Sequence, residues 1–158
     1  MYVLIASALL ASLLSPQKPA TQRVPFSGWF KAELVSDSIW GHCELTAFVD
    51  EHSQGTQRVT CRSEDGKPTV QVEERLSSSD IAQLRQLLRD ADLFQGQFWG
   101  SDLRGLDAVF TTLAVNDESR AAVVVCYKNE AFETGSRRRL LDWLTERMRA
   151  KERQGRSN

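Results

Sequence analysis

Gly41-His42-Cys43-Glu44-Leu45-Thr46-Ala47-Phe48-Val49, continuing through a polar turn to Gln57-Arg58-Val59-Thr60-Cys61, is the stretch that decides the fold. Cys43, Leu45, Ala47 and Val49 alternate with His42, Glu44, Thr46 and Phe48, the period of two expected of a strand with one buried face. On a helix the same spacing would scatter the apolar side chains around the axis. Asp50 to Thr56, with Gly55, supplies the turn, and Val59 and Cys61 take the inner face of the returning strand. The stretch is a hairpin.

Outward from it, Phe30 to Val35 has strand character on the N-terminal side. On the other side a second turn, Glu64-Asp65-Gly66-Lys67-Pro68, precedes Thr69 to Arg75, and Asp-Gly is a strong hairpin signal. These four strands form an antiparallel meander. A helix comes next. Ser77 and Asp80 have the spacing of a capping box, Leu76 and Ile81 that of a hydrophobic staple, and Ile81, Leu84, Leu87, Leu88, Ala91 and Phe94 make one apolar stripe.

A Gly-rich loop, Gln95 to Gly105, leads to strands at Asp107 to Val115 and Ala121 to Tyr127. Ala121 to Cys126 is apolar at every position, which predicts a central strand covered on both faces. A second helix follows Glu133-Thr134-Gly135-Ser136, with Leu140, Leu141, Leu144 and Met148 as its stripe. The order β-β-β-β-α-β-β-α, with strands and helices in blocks, predicts an α+β fold: an antiparallel sheet with two helices packed on one face. At 158 residues, 41% hydrophobic and 26% charged, the chain suits one domain, expected at 28–150. A disordered basic tail is expected at 151–158.

Residues 1–20 read as a signal peptide. Val3 to Leu14 is too short an apolar run to cross a bilayer, and Pro16 and Pro19 separate it from the body of the chain. An N-terminal core element is the alternative. No Lys or Arg precedes the run, and Lys18 stands two positions before Ala20, so the cut is placed only between about residues 15 and 25. Export to the periplasm or medium is expected, with no membrane span in the mature chain.

Three cysteines in an exported chain predict one disulfide and one remaining thiol. Cys43 and Cys61 lie nine residues either side of His52 in the turn, so a hairpin in that register sets them opposite each other. The alternative is two small buried hydrophobes. Cys126, in the most apolar strand, reads as an inert thiol.

No nucleophile elbow, phosphate-binding loop or metal-ligand spacing is present, and the chain has only two histidines, His42 and His52. No catalytic residue, metal or cofactor is therefore assigned. The candidate binding residues are Trp40, His42, Trp99, Asp102, Arg104 and Asp107. Trp40, His42, Thr46 and Phe48 share one strand face, and exposed aromatic residues there would suit recognition. If a helix or loop covers that face, they are core. From Arg137 onward eight basic residues face three acidic ones, whereas the rest of the chain is acidic. This asymmetry marks either an anionic-surface contact or a solvated helix face.

Arg75-Leu76-Ser77-Ser78-Ser79-Asp80-Ile81, with Leu84, Leu87-Leu88, Ala91-Asp92 and Phe94, resembles the helix region of small bacterial exported proteins and the emfourin-type metallopeptidase inhibitors. The similarity extends, as an order of elements, over roughly residues 36–150, including a following Asp (Asp102 or Asp107), a hairpin and a C-terminal helix. The chain departs from that pattern with Trp40-Gly41 where a glycine pair is expected, and with a longer middle loop. The resemblance implies a small binder or peptidase inhibitor, with an extracellular peptidase as partner, and transfers no inhibitory residue. A non-enzymatic exported binding module is the leading expectation, with no nucleic acid as partner. An interaction protein using the basic C-terminal helix is the alternative, and a small hydrolase using Asp102, Asp107 or His42 the third.

Overall fold

A computed structural model of the chain describes residues 24–38, 41–94, 110–127 and 135–156. The elements are β1 (Phe30–Ser38), β2 (Gly41–Val49), β3 (Gly55–Arg62), β4 (Pro68–Arg75), α1 (Ser78–Ala91), β5 (Phe110–Asp117), β6 (Ala121–Tyr127) and α2 (Gly135–Arg156). The strands form one antiparallel sheet in the order β4-β3-β2-β1-β5-β6. The fold is α+β with the expected element order.

Alternation determines which face carries the core. Phe30, Ala32 and Leu34 of β1, Leu45, Ala47 and Val49 of β2, Val59 and Cys61 of β3, and Leu113 and Val115 of β5 are buried. They share one cluster with Ile81, Leu84 and Leu88 of α1 and with Leu140, Leu141, Leu144 and Met148 of α2. Both helical stripes thus cover the same sheet face.

The start of α1 is fixed as its sequence implies. Ser77 Oγ accepts from the Asp80 backbone N–H at 3.1 Å, and Asp80 Oδ2 accepts from the Ser77 N–H at 3.3 Å, closing the capping box. Leu76 and Ile81 are buried beside it, and β3 comes close at Gly55. A Cβ there would lie 3.0 Å from Ile81 Cδ1 and 3.2 Å from Leu76 Cβ, so any larger residue would press on both side chains.

A polar clasp ties α2 to the rest. Arg147 ion-pairs with Asp80 at the α1 cap, donates to Gln57 Oε1 at 3.1 Å, and lies 4.1 Å over the Trp143 ring. Gln57 is buried and donates to Glu74 Oε1 at 2.6 Å, while Lys151 donates to Glu74 Oε2 at 2.6 Å. One arginine therefore joins α1, β3 and α2, and a lysine adds β4.

Three expectations are corrected. Among the described residues β6 is an edge strand, because β1 pairs with both β2 and β5 and so takes the middle of the sheet. Its apolar composition does not reflect two covered faces, since Val123 and Val125 are 39% and 40% exposed. The segment after Ala150 is helical as far as Arg156, held by Lys151, where a disordered tail was expected. β1 runs on to Ser38, three residues beyond Val35, which brings Asp37 into the sheet.

Candidate functional site

The other sheet face has no helix across it among the described residues. Lys31 and Glu33 of β1, His42, Glu44, Thr46 and Phe48 of β2, Thr56, Arg58, Thr60 and Arg62 of β3, and Glu73 of β4 line a shallow trough of about 440 Å³ there. The period of two puts them there: each is the outward neighbour of a residue facing the core.

Cross-strand register organises the trough into rows. In one row Asp37 faces His42 and His42 faces Arg62; in another Glu33 faces Thr46, which faces Arg58, which faces Glu73. His42 Nδ1 and Asp37 Oδ1 are 2.5 Å apart, with the side chains 40% and 51% exposed. Arg58 meets Glu73 at 2.8 Å, Lys31 meets Glu33 at 2.5 Å, and Thr46 donates to Glu44 at 3.2 Å. These pairs are solvent-screened and contribute little stability, about 0–1 kcal/mol each. They do hold long side chains down and leave the aromatic corner standing. There Phe48, 40% exposed, lies 6.4 Å from the Trp29 ring.

Cys43 and Cys61, opposite each other in the β2–β3 register, form a disulfide. It lies one residue along from His42 and Arg62 and fixes the β2–β3 register that sets those two residues opposite each other.

Of the candidate binding residues, His42 is in the trough. Trp40, Trp99, Asp102, Arg104 and Asp107, with the rest of residues 95–109, lie outside the described residues, as does the Cys126 side chain. Sequence reasoning missed Asp37 and Trp29. A register count would have found Asp37: Ser38 pairs with Gly41, so the preceding residue must meet His42. His52 is exposed at the β2–β3 turn, where Asp50 Oδ1 accepts from the His52 and Gln54 N–H groups at 2.9 and 2.8 Å. Among the described residues no three His, Cys, Asp or Glu side chains are grouped to hold a metal ion.

A second hollow, about 220 Å³, lies between Val24–Trp29 and the β5–β6 turn. Its charges are engaged within the fold: Arg120 pairs with Asp117 at 2.9 Å and lies 4.2 Å over the Phe94 ring. Burial pushes the Asp117 carboxyl up, yet the Arg120 and Ser119 bonds outweigh it and hold it below the ordinary value.

Five cations of the basic α2 helix, Arg137, Arg138, Arg139, Arg147 and Lys151, have partners within the fold. Arg137 Nε donates to the Ala91 carbonyl at the end of α1 at 3.1 Å, Arg138 pairs with Asp142 at 2.8 Å, and Arg139 lies 3.9 Å from Asp90. Arg137 thus meets a helix C-terminus, where a cation is favoured. Among the described residues no helix is long and apolar enough to cross a membrane. No protein-family model and no curated protein matches the chain.

Proposed function

We propose that this chain is an exported, non-enzymatic binding module of the peptidase-inhibitor kind, which meets a protein partner across its helix-free sheet face. The observation that carries the reading is that face. One side of the sheet is covered by both helices, while the other presents an aromatic corner, Trp29 and Phe48, beside a trough in which Lys31 pairs with Glu33 and Arg58 with Glu73. Pre-paired charges lower the entropic cost of ordering the face on binding, and aromatic anchors supply the contact area. The Cys43–Cys61 bond supports an oxidising compartment and hence export.

The anionic-surface reading loses support because Arg137, Arg138, Arg139, Arg147 and Lys151 already have partners within the fold. Of the residues named for the hydrolase reading, His42 is the one among the described residues, and it pairs with Asp37. Among the described residues, the lining of the trough around it includes three threonines and neither serine nor cysteine.

The test is titration of secreted bacterial metallopeptidases with the purified chain, reading residual activity and binding heat. Tight, saturable binding should fall roughly tenfold or more in Phe48→Ala, as expected for an aromatic anchor. Peptidases that neither bind nor lose activity would remove the inhibitor reading. Undiminished binding by Phe48→Ala would remove the sheet face from it.

A further inference from the structure

The two edges of the sheet are built differently. β4 comes after Lys67, starts at Pro68 and ends Glu73-Glu74-Arg75. Proline cannot donate to a ladder, and charges along an edge resist a further strand. β6 reads Ala121-Ala122-Val123-Val124-Val125-Cys126-Tyr127, seven residues with neither charge nor proline. Among the described residues it pairs with β5 alone, and Val123 and Val125 stand out from the helix-free face. An uncharged, β-branched, exposed edge is the arrangement that accepts another strand.

We infer that β6 pairs with the β6 of a second copy of this chain, antiparallel about a two-fold axis at Val124, joining two sheets into one. In that register Ala121 faces Tyr127 of the other copy, Val123 faces Val125, and Val124 faces itself. It is the register that pairs all seven residues. It also keeps the side-chain faces in phase, so both helical layers lie on one side and the four exposed valines meet on the other.

Charge and symmetry select this occupant. Docking β6 against the β4 edge of another copy would propagate head to tail into a filament. Lys67, Pro68, Glu73 and Arg75 oppose that contact, so the uncharged edge is left with its own kind and the assembly closes at two copies. Arg120, just before β6, has its charge offset by Asp117 at 2.9 Å. Stable interfaces draw on about 20–30 residues a side, and a seven-residue strand with its neighbours supplies fewer. The dimer is accordingly weak, with dissociation at roughly micromolar concentration or above.

Cysteine placement tests the register on the full chain. In a Cys126→Ser background, Val124→Cys should form a disulfide-linked dimer on mild oxidation. Ala122→Cys, which would face residue 126 of the other copy, should not. Equal cross-linking of both variants, or of Ala122→Cys alone, overturns the register. Sedimentation velocity tests the contact itself: self-association should rise with concentration in the parent and weaken at least about tenfold in Val123→Lys/Val125→Lys, where like charges would oppose each other. If the double variant loses its native circular dichroism, Val125→Lys alone carries the measurement. A parent that stays monomeric to about millimolar concentration, or a folded lysine variant that dimerises unchanged, refutes the inference.

Discussion

Arg147→Met removes the charge that joins α1, β3 and α2 while keeping an aliphatic stem. Gln57, 2% exposed, loses the donor to its Oε1, and an unsatisfied buried acceptor costs about 1–3 kcal/mol. The Asp80 pair, with side chains 22% and 27% exposed, adds about 1 kcal/mol after solvent screening. Loss of the cation over Trp143 is largely offset by the methionine sulfur against the same ring. The expected destabilisation is therefore about 2–4 kcal/mol, measured by urea unfolding at pH 7 with tryptophan fluorescence. The deficit should depend on pH. Burial pushes the Asp80 carboxyl up, but the Ser77 hydroxyl, the Arg147 charge and the Ser77 N–H together hold it below its ordinary value of 3.8. A carboxyl lowered on folding contributes stability above its unfolded pKa and loses it as pH falls through the folded one. Below about pH 4 the gap between parent and variant should narrow to the Gln57 part. A change under about 0.5 kcal/mol with an unaltered m-value, or a deficit that is flat with pH, refutes the clasp as described.

Cys43→Ser/Cys61→Ser should lose about 3 kcal/mol, from the chain-entropy cost of a loop of this size, as read by calorimetry; peptide mapping of the oxidised parent should recover the Cys43–Cys61 pair. Leu144→Ala, at a fully buried site facing the sheet, should cost about 2–5 kcal/mol in chemical denaturation. Arg137→Ala/Arg138→Ala/Arg139→Ala should lower stability by roughly 1–2 kcal/mol, mostly through the bond to the Ala91 carbonyl. Its retention on heparin and on anionic vesicles should equal that of the parent, and salt-sensitive retention lost in the folded triple variant would revive the anionic-surface reading.

The elements that sequence made legible are those whose signals are local. A turn centred on His52 fixes a hairpin register by counting, and the Cys43–Cys61 bond results from it. The Ser77 and Asp80 side chains carry their capping geometry within one turn of helix. The place of β6 in the sheet is not local. A run of alanine and valine reports affinity for a sheet, whereas its position depends on β1 meeting β5, a pairing across more than seventy residues of chain. Asp37 was missed for a similar reason: alone it is a turn residue, and its partnership with His42 exists only once β1 extends to Ser38. Arg147 reads as part of a basic patch until folding brings Asp80 and Gln57 beneath it.

The strand order also sets a sequence of events in time. β1 to β4 are contiguous in the chain and join by short turns, so they can zip within microseconds of one another. The partner for the other side of β1 is β5, which is made only after α1 and the residues that follow it. Until β5 arrives, the future centre of the sheet is its rim, with Phe30, Ala32 and Leu34 on the row that will become core and backbone donors facing water. The chain is most prone to wrong partners during that interval, and it ends when the hairpin Phe110–Tyr127 docks. A chain cut short before Phe110 would therefore lose more than two strands: it would turn its best-buried strand into its most adhesive surface.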